Sequence, residues 1–134
     1  MPVPGKLISL TYHLLQEDQI ATKDHLEFSR LLTQITMAAR IITQELRRAG
    51  FSGLLGKTGA TNVQQEEVKK LDQFANDTLI DACEESGLVF GAASEELAGA
   101  THFPLHGRAG AAYAVLFDPL DGSSNTDVNG VLGS

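Results

Sequence analysis

The chain has 134 residues, 43 % of them apolar, enough for one folded domain around a single core. A formal net charge of −7 argues against nucleic acid as a partner, because that binding rests on basic patches facing phosphate. No apolar run approaches the roughly 20 residues that cross a bilayer, the start Met1-Pro2-Val3-Pro4-Gly5-Lys6 lacks the apolar block of a secretory signal, and a single cysteine, Cys83, permits no internal disulfide, so a cytoplasmic protein with no membrane partner is expected.

Residues 1–23 read as a weakly ordered lead-in with a short helix around Leu10–Leu15. Asp24 can cap a long helix, with Glu27 completing a capping box. Phe28, Leu31, Leu32, Ile35, Ala38, Ala39, Ile42 and Leu46 then recur at the spacing of one helical face, and Gly50 can stop it. Residues 50–63 contain four glycines and predict a connector able to take several conformations. A second helix is predicted over about 64–86, with Val68, Leu71, Ala75, Leu79 and Ala82 on one face. Leu88–Ala93 reads as a short buried strand, 97–110 as a loop, and Ala111–Phe117 as a second strand that ends at Asp118-Pro119, since proline cannot continue a ladder. Two helices followed by strands suggest a layered α/β fold.

The run Phe117-Asp118-Pro119-Leu120-Asp121-Gly122-Ser123-Ser124-Asn125 takes an apolar strand straight into two acids joined by a proline turn. Both carboxylates can project from one strand end, and hard oxygen donors there suit Mg²⁺ or Mn²⁺ rather than zinc. Behind them the amides of Gly122, Ser123 and Ser124 can cradle an anion. An Asp-Pro-x-Asp-Gly stretch alone also serves as a solvated turn. Ser94-Glu95-Glu96 follows the first strand; if the strands are parallel neighbours, these acids arrive where Asp118 and Asp121 do. Carboxylates gathered there repel unless a cation sits between them, although the same three residues can begin a serine-capped helix. Asp72 follows the apolar Leu71, at the border of the core, where a carboxylate can take a proton from water; it also fits an ordinary helix-surface acid beside Lys69 and Lys70. Gly56-Lys57-Thr58 is not a nucleotide loop, because Phe51 stands where that motif needs glycine. Cys83 and the scattered histidines His13, His25, His102 and His106 fit packing and surface roles.

In order and spacing, Thr61-Asn62-Val63, Val68-Lys69-Lys70-Leu71-Asp72, Asn76-Asp77, Ser94-Glu95-Glu96 and the run from Phe117 to Asn125 closely resemble class 1 fructose-1,6-bisphosphatase over about residues 24–129. The resemblance implies the amino-terminal portion of a layered sugar-phosphatase fold, two long helices packed on the start of a β-sheet, with 1–134 a truncated amino-terminal domain. It implies Mg²⁺, with Mn²⁺ a possible substitute, held by Glu95, Asp118, the Leu120 carbonyl and Asp121. Asp72 and Glu96 are then the acids that activate water, and Gly122, Ser123 and Ser124 hold the 1-phosphate. Asn62 and Glu66 belong to a mobile loop over the metals. The implied reaction hydrolyses fructose 1,6-bisphosphate to fructose 6-phosphate and phosphate in gluconeogenesis, in a homotetramer when full length. The inositol-phosphate and sedoheptulose-bisphosphate phosphatases share the Asp-Pro-x-Asp-Gly element, though the inositol enzymes usually carry threonine where this chain has Ser123. A non-catalytic fragment is the remaining alternative, since the family's chain continues well beyond this length and the tail Asn129-Gly130-Val131-Leu132-Gly133 departs from its pattern. The family's AMP site is only partly represented: Glu27 and Tyr113 persist, its glycine and lysine do not.

Overall fold

A computed structural model of the chain describes residues 9–17, 22–51, 61–104 and 112–122. Three helices come first: α1 (Leu10–Glu17), α2 (Lys23–Phe51) and α3 (Thr61–Ser86). Three strands follow: β1 (Val89–Ser94), β2 (Thr101–His102) and β3 (Tyr113–Phe117). Ser9 starts α1 by accepting the Tyr12 N–H on its hydroxyl oxygen at 3.1 Å. Thr22 precedes α2, its carbonyl accepting the amides of His25 and Leu26. Asp24 therefore lies inside the first turn and is not the cap, a position where its charge still favours the helix N-terminus.

The predicted connector 50–63 is shorter than expected at both ends. Helix α2 runs past Gly50 to Phe51, and α3 begins at Thr61, so Asn62 lies in a helix. The cause is local: Gln64-Gln65-Glu66-Glu67 are good helix formers, and no glycine or proline separates them from Thr61. Residues 52–60 of the connector, the rest of the lead-in at 1–8 and 18–21, and the tail from 123 onward lie outside the described residues. At its far end α3 stops on a two-part device. The Ser86 hydroxyl donates to the Cys83 carbonyl at 2.7 Å and accepts the Leu88 N–H at 3.1 Å. Gly87 then turns the chain at φ 66°, a left-handed conformation that glycine takes without cost.

The sheet order is β2-β1-β3, with β1 antiparallel to β2 and parallel to β3. Strand β2 falls inside the predicted loop 97–110. Two residues are too short to show a period-2 pattern, and only their pairing, Gly91 with His102 and Ala92 with Thr101, makes them a strand. Helices α2 and α3 cover one face of the sheet in two joined clusters. Leu31, Cys83, Leu88, Val89, Ala92 and Phe103 form one. Ala38, Ile42, Ala75, Leu79, Ala82 and Leu120 form the other. Alanines at Ala38, Ala75 and Ala82 remove bulk where the helices face each other. Phe28 and Ala39, predicted for the buried face of α2, are exposed, so the stripe that reaches the core is narrower than the periodicity implied. Tyr113 reaches the start of α2, its hydroxyl 3.5 Å from the Asp24 carbonyl and its ring 6.0 Å from that of Phe28.

Candidate active site

Strands β1 and β3 run parallel with Ser94 opposite Phe117, so the segments after them leave the sheet at the same end. Glu95-Glu96 makes a turn there, not the helix start that a serine-capped segment also allows. Backbone bonds fix that turn: the Glu95 N–H donates to the Phe117 carbonyl at 3.2 Å, and the Leu97 N–H to the Ser94 carbonyl at 3.2 Å. Between them the Glu96 N–H donates to the Ser94 hydroxyl oxygen at 3.3 Å.

After β3, Asp118 folds back on its own chain, with Oδ1 accepting the Leu120 N–H at 3.1 Å. Such an Asx turn is a local alternative to continuing the strand. Pro119 is fully buried and its ring fixes one dihedral. Leu120, 5 % exposed, drives its side chain into the cluster between α2 and α3. The turn is thus nailed to the helices, and Asp118 and Asp121 are carried on a rigid base. Gly122 follows at φ 81°, where any side chain would be strained.

The two turns bring the acids into mutual range. The Glu95 carboxyl is pushed above the ordinary glutamate range. The largest cause is a hydrogen bond with the Asp118 carboxyl, then the charge of Asp118, a slight loss of water, and the charges of Glu96 and Asp121. Two carboxyl groups can hydrogen-bond only by sharing a proton, and a cation can take that proton's place. The donors are all hard oxygen, the chemistry of Mg²⁺ or Mn²⁺. Among the described residues, no three His, Cys, Asp or Glu side chains stand within reach of one ion, so the side chains as placed do not close a ligand set.

Asp72 lies on α3, 9 % exposed, with Oδ1 shut off from solvent. Its neighbour Leu71 packs on the same cluster as Leu120, which ties this stretch of α3 to the acid turn. One helical turn on, Asn76 is 2 % exposed, with Nδ2 donating to Asp77 Oδ1 at 3.3 Å. Glu66 is exposed near the start of α3 and Asn62 lies in its first turn, while Ser123 and Ser124 fall outside the described residues. In the sequence Ser94 belongs to the Ser94-Glu95-Glu96 segment of the family resemblance, but the local role its hydroxyl suggests is that of a helix cap. The signal is a serine directly before two acids at a strand end, which serves a turn equally well. The groove of about 290 Å³ between α2 and α3, lined in part by Met37, Ile41 and Phe74, contains none of these acids.

Residues 8–134 match the model of the family described as fructose-1-6-bisphosphatase, N-terminal domain. The chain belongs to the fructose-1,6-bisphosphatase family. It is 44 % identical over 127 residues to the class 1 fructose-1,6-bisphosphatase of Trichormus variabilis, covering 94 % of this chain and 36 % of that protein. It is also 44 % identical over 130 residues to the class 1 protein of Chlorobium phaeobacteroides, covering 97 % and 38 %. The holo crystal structure of Leishmania major fructose-1,6-bisphosphatase superposes with a TM-score of 0.68 at 30 % identity, over 92 % of this chain and 35 % of that one. The chain therefore spans little more than a third of the length of the relatives it matches, and corresponds to their amino-terminal part. The layered α/β reading and the family resemblance both hold. Among the described residues, no helix is long and apolar enough to cross a membrane.

Proposed function

We propose that this chain is the metal-bearing amino-terminal part of a Mg²⁺-dependent fructose-1,6-bisphosphatase, cytoplasmic and homotetrameric when full length, that releases the 1-phosphate to give fructose 6-phosphate in gluconeogenesis. The observation that carries this reading is the Glu95–Asp118 carboxyl pair at the shared end of two parallel strands, beside Glu96 and Asp121. Proteins rarely gather acids so closely without a partner that offsets them.

In this reading Glu95, Asp118, Asp121 and the Leu120 carbonyl hold the cation. When bound, Mg²⁺ supplies positive charge to the phosphoryl oxygens and lowers the pKa of water at the site. Asp72 and Glu96 accept the proton as water attacks phosphorus. The turn at Gly122 lets backbone amides approach the phosphate, and Ser123 and Ser124 extend that cradle. Asn62 and Glu66, at the start of α3, belong to the segment that closes over the site. The basic residues that would grip the sugar and its second phosphate are to be sought in the part of the relatives this chain does not span, so the 134-residue chain alone is expected to be inactive.

Fusing the chain in frame to the part of the Trichormus variabilis protein beyond the match tests this. The fusion should release phosphate from fructose 1,6-bisphosphate with Mg²⁺, lose activity in EDTA, and prefer that substrate to sedoheptulose bisphosphate or an inositol monophosphate. Glu95→Gln or Asp118→Asn should each lower kcat/KM about 100-fold or more. Full activity in either variant contradicts the metal assignment.

A further inference from the structure

We infer that Ser94 is a positioning residue for this site: its buried hydroxyl holds the Glu95-Glu96 turn in the geometry that presents Glu95 to Asp118. The inference rests on the phosphatase reading and adds to it a residue that touches neither cation nor substrate. Ser94 is the last residue of β1, 8 % exposed and paired with Phe117 across the ladder. It serves the turn twice. Its carbonyl accepts the Leu97 N–H at 3.2 Å, a bond that any residue at this position would make. Its hydroxyl oxygen accepts the Glu96 N–H at 3.3 Å, which only a side chain with an acceptor can do.

The second bond fixes the peptide plane between Glu95 and Glu96. Both glutamates are exposed, so apart from the hydrogen bond between Glu95 and Asp118 the direction of their side chains comes from the backbone beneath them. Loss of the hydroxyl leaves the Glu96 N–H to water, which costs the fold little but lets that peptide plane swing. Two acids that must meet Asp118 and Asp121 at one point would then spend time aimed elsewhere. A group that orients a ligand from behind in this way typically governs about 10- to 100-fold of metal affinity or activity.

Threonine and valine at position 94 have the same shape and differ in the acceptor alone. Binding of Mn²⁺ to the chain, read by the electron paramagnetic resonance of the free ion, should weaken about tenfold in Ser94→Ala and Ser94→Val and stay within about twofold of the wild type in Ser94→Thr. The thermal midpoints of the cation-free variants control for folding. In the wild-type chain, hydrogen exchange of the Glu96 amide gives a reading that needs no variant: protection supports the bond, and exchange at the rate of a free amide overturns it. Equal Mn²⁺ affinity in Ser94→Thr and Ser94→Val overturns the inference and leaves the phosphatase reading intact. A wild-type chain that takes up no Mn²⁺ overturns both.

Discussion

Glu95 shares a hydrogen bond with Asp118 and therefore keeps its proton to a higher pH than an isolated glutamate. The sign of the consequence follows from linkage. A carboxyl whose folded pKa lies above its unfolded one contributes stability that is complete below the unfolded value and lost as pH rises through the folded one. Without a cation, the unfolding midpoint should thus fall as pH rises from the ordinary glutamate range through the raised value. Saturating Mg²⁺ should remove the fall, and Glu95→Gln should abolish it. Thermal scans across pH with and without Mg²⁺ measure this, and a flat cation-free profile in the wild type contradicts it. Cys83 obeys the same rule at the other end of the scale: burial at 1 % exposure raises its thiol pKa, so its contribution is lost only as pH rises above the thiol range. It should resist alkylation at pH 8 in the folded chain and react fully in denaturant. The packing role of Cys83 was legible because its neighbours in sequence offered it no base. The hydroxyl of Ser94 was not, because the same serine serves a helix cap or a turn, and only the pairing of β1 with β3 decides between them.

Element by element, the two long helices were legible because 3.6-residue periodicity survives in any window of that length. What the pattern could not reveal is that Leu120 belongs to the helical core. It sits in a loop, and its neighbours drew attention as acids. In the fold it is the bolt between the acid turn and the α2–α3 pair, packed with Ala75 and Leu79. Leu120→Ala should cost about 2–5 kcal/mol and also weaken cation binding, since it frees the base on which Asp118 and Asp121 stand. Chemical denaturation and Mn²⁺ titration measure the two effects, and a stability loss with unchanged cation affinity contradicts the coupling. Ala75, with no exposed surface, marks the contact between the helices. Ala75→Leu should destabilise by about 1–3 kcal/mol through overpacking, read in the same denaturation experiment. Strand β2 was not legible, since pairing with β1 is all that defines it.

At the scale of the whole molecule, among the described residues the helices cover one face of the sheet, while apolar side chains on the other face are exposed. Leu116 is 79 % exposed and Phe90 44 %, with Ala114 beside them, and β3 is the outermost strand of the described sheet. Uncovered apolar surface next to an edge strand favours association. The purified 134-residue chain should therefore elute above its monomer mass, and Leu116→Ser should shift it toward the monomer; light scattering after gel filtration measures both, and a monodisperse wild-type monomer contradicts the expectation. The most direct measurement of the central claim is anomalous diffraction from crystals of the chain, or of its full-length fusion, grown with Mn²⁺. A manganese peak is expected at the common end of β1 and β3, bonded to carboxylate oxygens of Glu95 and Asp118. Ordered side chains there with no peak, or a peak bound only elsewhere, would contradict it.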